Sequence, residues 1–428
     1  MDKLGRVYNY EPSFKKTTLD NGVRVVTEAH PGFRSTSVGL FVDLGTRDEP
    51  ENLVGATHFV EHLVFKGTEK RSAFEIAESL ELVGGDLNAY TTRELTCFHA
   101  HSLKEDLPLS VDILCDLVTN ALFDPEEFER ERQVILQEID MSKDDLEEFI
   151  LDRYFEKAFA GHPLSRWITG TKTSLMGIDR DALFDYYKKN YCGSRIVLAA
   201  AGSVDHDEIV EVAQKALGSL PKGEPMNRQG RPTIETFTHF EPRNSEQVHL
   251  LYGLPSAPFV DKERFDAFIF NNIIGGGVTS RLYQKVREKG GLVYSIYSYL
   301  QTMVEHGLLL IYAGASEATH MEVAQLIQNE LKEIGSKPPS EEEVESFKRQ
   351  LKGQILLGAD DMENRMNSIG VNEHVFGEYR PVEMIIDEIS QVNAVSVDAY
   401  IQKYVRNQKL SLLMMGDLPE SSAKDLAN

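Results

Sequence analysis

His58-Phe-Val-Glu61-His62 is the stretch whose residue types and spacing could do chemistry. On a helix, two histidines four positions apart leave from one face, and Glu61 stands beside them. One metal ion could take both imidazoles while the carboxylate stays free. His-x-x-Glu-His inverts the commoner His-Glu-x-x-His zinc-protease signature, with an unchanged physical requirement: two neutral nitrogen ligands and a nearby carboxylate that is not a ligand. Two ligands are one short of the three typical of a catalytic zinc. A second helix could supply the third. Asp124-Pro125 reads as an N-cap followed by proline at the first helical position, opening a helix over about 126–142. On it Glu131 and Glu138, seven residues apart, nearly align with each other and with Val134 and Ile135. Spacing does not choose between the glutamates, and a solvated helix with charges flanking its stripe is the plain alternative. His99 and His101 share a strand face, where they could be ligands or hydrogen-bonded structural residues.

The elements that must position these residues can be read in order. Asn21-Gly22 between two β-prone runs predicts a hairpin, and residues 37–43 alternate as a strand. The motif helix continues apolar through Leu63, Val64 and Phe65. Ser72-Ala-Phe-Glu75 is a capping box that starts a helix ended by Gly84-Gly85. Residues 86–102 read as strand, split at Thr92-Arg93-Glu94, and Leu107, Val111, Leu114, Cys115 and Val118 mark a helix. The segment 154–163 reads as loose; a helix over 179–190 and an aliphatic strand over 194–201 follow. Pro- and Gly-rich residues 219–233 form the best linker, which divides the chain into domains 1–224 and 225–428. The two halves look like copies, because the segment 185–202, a helix entering a strand entering a glycine, returns 214 residues later at 399–416. The expected fold class is therefore α+β, a duplication of one domain built from a mostly antiparallel sheet packed with helices. Ala267, Phe270 and Asn271 fall opposite His58, Glu61 and His62, so the second domain should not bind this metal.

Composition narrows the class further. A chain of 428 residues is too long for one ordinary core. Its net charge of −23 argues against nucleic acid and favours basic ligands, although a solvated acidic surface explains the charge equally well. Cys97, Cys115 and Cys192 lack the pairing of a disulfide scaffold or thiolate metal site and read as reduced and buried. Neither a secretory h-region, a transit-type start nor an apolar run long enough to span a membrane is visible, so a cytoplasmic location is expected.

The motif and its surroundings resemble the insulinase, or pitrilysin, family, which includes the mitochondrial processing peptidases. The matching stretches are Gly55-Ala-Thr-His58-Phe-Val-Glu-His-Leu-Val-Phe-Lys-Gly-Thr68, Gly84-Gly-Asp-Leu-Asn88-Ala89-Tyr-Thr and Glu131-Arg-Gln-Val-Ile-Leu-Gln-Glu138-Ile, with 75 residues between His62 and Glu138. The resemblance implies one zinc per chain on His58, His62 and Glu138, Glu61 as general base, and Glu131 supporting the site from behind the ligands. It also implies that Asn88 and Ala89 lie on an edge strand that pairs with an extended peptide. Ile274-Gly-Gly-Gly-Val-Thr-Ser-Arg lacks the Gly-Lys-Ser/Thr ending of a phosphate loop. The stretch from Ile274 to Tyr294 instead resembles the family's second-domain signature, in which the counterparts of Arg287 and Tyr294 hold the peptide and stabilise the reacting carbonyl. The implied activity is zinc-dependent hydrolysis of extended, often basic peptides or presequence-like segments in an enclosed chamber. The rival is a non-catalytic structural or partner subunit, like the core proteins of the respiratory cytochrome bc complex. Long family members enclose the chamber with four such domains. This two-domain chain is thus expected to work as a homodimer, the zinc of one protomer facing Arg287 and Tyr294 of its partner, although a separate inactive partner would serve too. A bacterial cytoplasmic protein is the expectation, and a matured organelle matrix protein would look the same.

Overall fold

The computed structural model describes residues 12–228, 230 and 232–418, so the polar lead and the polar tail lie outside the described residues. The chain divides into two compact units. The first comprises the residues up to Ile139, Trp167–Arg228 and Leu357–Arg380; the second comprises Asp140–Arg166, Gln229–Leu356 and the residues from Pro381 onward.

The first unit is built on six strands: β1 (Ser13–Thr18), β2 (Arg24–Ala29), β3 (Ser35–Val42), β4 (Asp86–Thr91), β5 (Thr96–Leu103) and β6 (Ile196–Gly202). They are ordered β1-β2-β6-β3-β5-β4, and only β2 and β6 run parallel. The Asn21-Gly22 turn closes the β1–β2 hairpin with Gly22 at φ 93°, a left-handed conformation that favours glycine. Aliphatic β6 is buried along its whole length, as a strand covered on both faces must be. The second unit carries β7 (Thr238–Pro242), β8 (Val248–Ser256), β9 (Val293–Thr302), β10 (Gly307–Ala315) and β11 (Ser411–Gly416), ordered β7-β11-β8-β10-β9 with only β7 and β11 parallel. Order and directions repeat those of β2-β6-β3-β5-β4, so the fold is a duplicated α+β domain.

Each unit borrows one helix from the other half of the sequence, which a single cut at 224/225 does not capture. Leu146–Ala158 packs on β8 and β11 of the second unit, and Met362–Phe376 packs on β2, β3 and β6 of the first. The first of these corrects the loose reading of 154–163. Asp145 caps the helix by accepting from the Glu147 and Glu148 amides, and its buried Phe149, Ile150, Tyr154 and Phe155 lie against a sheet distant in sequence. Both helices approach their sheets closely. A Cβ at Gly370 would lie 2.2 Å from the Phe41 ring, one at Gly39 2.3 Å from Met366 Sδ, and one at Gly253 1.9 Å from Tyr154 Oη. In the first unit the contact also contains a buried ion pair. Arg365 donates to both oxygens of fully buried Glu28 at 2.8 and 2.6 Å, and Tyr379 Oη donates to the same carboxylate at 2.8 Å.

The linker residues carry no helix or strand among those described, yet they are not loose. Arg228 pairs with Asp43 at 2.8 Å and Asp48 at 2.7 Å and donates to the Glu94 carbonyl at 2.6 Å. The three cysteines are free and buried. No helix among the described residues is long and apolar enough to cross a membrane.

Candidate metal centre

The motif lies on a nine-residue helix, Ala56–Val64, in the first unit. Phe59, Val60, Leu63 and Val64 are buried on one side, leaving His58, Glu61 and His62 together on the other. The helix starts at Gly55, φ 95°, where a Cβ would press against the Thr169 carbonyl. Buried Glu49 accepts from the Gly55 and Thr57 amides, both at 2.8 Å, which satisfies orphan donors and places negative charge at the positive end of the helix dipole. Nothing local in the sequence marks Glu49 for this work, because it acts from outside the helix.

The helix Pro125–Asp144 brings the second half of the site. Phe128 stacks on Phe59 with ring centroids 4.9 Å apart, and Arg132 lies 4.6 Å over the Phe128 ring while donating to the Ile178 carbonyl at 3.0 Å. With Ile135 buried beneath, this packing fixes the helix so that Glu131 and Glu138 face the histidines. Glu138 Oε2 lies 3.9 Å from His58 Nε2 and 3.6 Å from His62 Nε2. Ligand atoms of the three residues all fall within 4.8 Å of one another, the only such group of three or more among the described residues. A tetrahedral zinc with bonds near ~2.0–2.1 Å spaces its ligand atoms roughly 3.3 Å apart, so closing the set takes small side-chain movements. Two imidazoles and a carboxylate are also the donor types zinc takes.

Behind the ligands, His62 Nδ1 donates to Glu131 Oε2 at 3.1 Å, and Glu131 Oε1 accepts from Lys66 Nζ at 2.9 Å. This fixes the tautomer that leaves Nε2 with its lone pair toward Glu138. Burial, with help from the neighbouring His62, pushes the His58 pKa down to about 3, which keeps that ring in the neutral, ligating form. Burial also holds the Glu61 carboxyl above the usual carboxylate range, opposed by a hydrogen bond from the Thr91 hydroxyl to Oε2 and by His62. No local sequence pattern marks Thr91 or Lys66, because each acts across a contact between elements.

The remaining site residues fall as follows. Asn88 and Ala89 lie on β4, whose outer edge pairs with no strand among the described residues; Asn88 Oδ1 accepts from the Ala89 amide at 2.8 Å. His99 and His101 stand apart from the metal group: His99 Nδ1 is 3.4 Å from Glu363, and His101 Nδ1 is 2.7 Å from Ser37 Oγ. Arg287 and Tyr294 belong to the second unit and meet there, with the guanidinium 5.8 Å over the Tyr294 ring and bonded to the Tyr283 hydroxyl. Arg287 sits in a π-helical turn, Tyr283–Glu288, and Tyr294 is 78% exposed. The glycine run ends the helix Arg264–Ile274 and lets it touch β9, where the Ser298 amide donates to the Gly275 carbonyl at 2.9 Å. Ala267 and Phe270 are buried in the core of the second unit.

The described residues thus form a duplicated α+β fold with an inverted His-x-x-Glu-His motif in its first copy. Residues 24–172 match the family model for insulinase (peptidase family M16), and residues 177–351 match that for the peptidase M16 inactive domain. The chain is 36% identical over 420 residues to a protein of Streptomyces coelicolor named an uncharacterized zinc protease, covering 96% of this chain and 91% of that one. Its fold is similar to the crystal structure of a protease from Helicobacter pylori, with TM-score 0.86 at 17% identity over 95% of this chain and all of the other. It is also similar to a chain of complex III2 from Candida albicans, with TM-score 0.84 at 18% identity over 97% of this chain and all of the other. The chain belongs to the insulinase family, peptidase family M16.

Proposed function

We propose that this protein is a zinc-dependent endopeptidase that hydrolyses extended peptides. The observation that carries the reading is the convergence of His58, His62 and Glu138 from two helices, with Glu61 on the same face but outside the ligand set. Zinc held by these three residues, one ion per chain, would polarise the peptide carbonyl and lower the pKa of water toward ~7. Glu61 takes a proton from the attacking water and delivers it to the leaving nitrogen, for which a carboxyl held above the usual carboxylate range by burial suits it. Glu131 and Lys66 keep the His62 ring oriented. An extended peptide adds to the free edge of β4 at Asn88 and Ala89, main chain to main chain. Tyr294 donates to the reacting carbonyl oxygen and Arg287 holds the peptide. The net charge of −23 favours basic substrates. The working unit is a homodimer that encloses the substrate in a chamber, with Arg287 and Tyr294 reaching each metal centre from the other protomer.

The test is the Glu61→Gln variant, assayed with a peptide library beside its zinc content. Turnover should fall at least ~100-fold while zinc stays stoichiometric; near-normal cleavage would refute the assigned base. The second reading is a non-catalytic structural or partner subunit, since a chain of complex III2 shares the fold. Zinc-loaded native protein that cleaves no peptide in the library would favour that reading.

A further inference from the structure

We propose that Thr91 is a positioning residue that aims the Glu61 carboxylate. The Thr91 hydroxyl donates to Glu61 Oε2, and this is the side-chain hydrogen bond that Glu61 receives among the described residues. The two residues belong to different elements. Glu61 rides on the motif helix, whereas Thr91 is the last residue of β4, paired with Thr96 at the closed end of the β4–β5 hairpin. That end is firmly built. The Thr92 amide donates to the Leu95 carbonyl at 2.8 Å, the Thr92 hydroxyl to the same carbonyl at 3.0 Å, and the Thr46 amide to the Thr92 carbonyl at 3.2 Å. A β-branched threonine on such a strand has few rotamers, so its hydroxyl is a fixed point.

A glutamate needs one. Its terminal torsion is broad and roughly two-fold, so an untethered carboxylate samples many orientations, and misplacement by about 1 Å can cost ~100-fold in rate. Fixing Oε2 leaves Oε1 as the oxygen that exchanges the proton. Because β4 is the strand whose free edge would take the peptide, Thr91 also ties the base to the element that presents the substrate. This inference rests on Glu61 being the general base.

The isosteric Thr91→Val variant removes the donor and keeps the β-branch, and Thr91→Ser restores the hydroxyl. In the zinc-loaded protein, T91V should lower kcat about 10- to 100-fold with KM within about threefold of native and zinc content unchanged, and T91S should recover most of the loss. Crystal structures of the same zinc-loaded proteins supply a readout apart from turnover: Glu61 keeps one conformation in the native protein and T91S, and leaves it or spreads over several in T91V. Native kcat in T91V, a defect confined to KM or explained by lost zinc, or a Glu61 conformation that ignores the substitution would each overturn the proposal. Should the native protein cleave no peptide, the endopeptidase reading fails, and the Glu61 conformations alone decide the role of Thr91.

Discussion

The two ring nitrogens of His62 face different glutamates of one helix, and that arrangement separates the work of the two. Glu138 faces Nε2 of both histidines, whereas Glu131, almost fully buried, accepts a hydrogen bond from Nδ1 of His62 and shares its other oxygen with Lys66. A ligand and the group orienting a ligand should differ in what their loss costs. Glu138→Gln should remove most of the zinc, whereas Glu131→Gln should retain the metal but weaken its affinity roughly 10- to 100-fold, measured by competition with a chelator. Equal affinities in the two variants would mean the roles are wrongly divided, and undiminished zinc in Glu138→Gln would show that another group is the third ligand.

At the scale of elements, the borrowed helix Met362–Phe376 completes the first unit. It covers Val26, Phe41, Val197, Ala199 and Ala201 with Met366 and Ile369, and its Arg365 neutralises Glu28 beneath it. A fully buried carboxylate robbed of its partner is costly, whereas an apolar pair of similar volume can replace both charges at little loss. Arg365→Met should therefore destabilise the protein by about 3–5 kcal/mol in urea unfolding, and adding Glu28→Leu should recover a large part of it. A double variant no more stable than Arg365→Met would show that Tyr379 and His30, which also bond Glu28, dominate the contact.

For the whole molecule, the duplication has left the two copies with different equipment. The first unit holds the metal group and the second holds Arg287 and Tyr294, while Ala267 and Phe270 are buried in the core of the second unit. If protomers exchange these parts, mixing inactive Glu61→Gln with inactive Tyr294→Phe generates one site with both native residues. Activity should reappear once subunit exchange has been verified by labelled protomers. A mixture as inactive as either parent would rule out sites shared between chains.

The sequence by itself determined the motif face, the hairpin at Asn21-Gly22, the capping box at Ser72 and the duplication, because these rest on local periodicity and turn chemistry. It brought Glu131 and Glu138 into view as a pair, but their division of labour depends on which side of Pro125–Asp144 the Phe59–Phe128 stack turns toward the histidines. Only the tertiary structure decided the contacts made across elements. Glu49 caps the motif helix from a preceding turn, Thr91 reaches Glu61 from a strand, and Arg228 pins a segment whose composition reads as free linker. The exchange of helices is the largest of these decisions. A stripe such as Phe149, Ile150, Tyr154 and Phe155 states that a face must be buried, and nothing in it states that the covering sheet lies a hundred residues further along the chain.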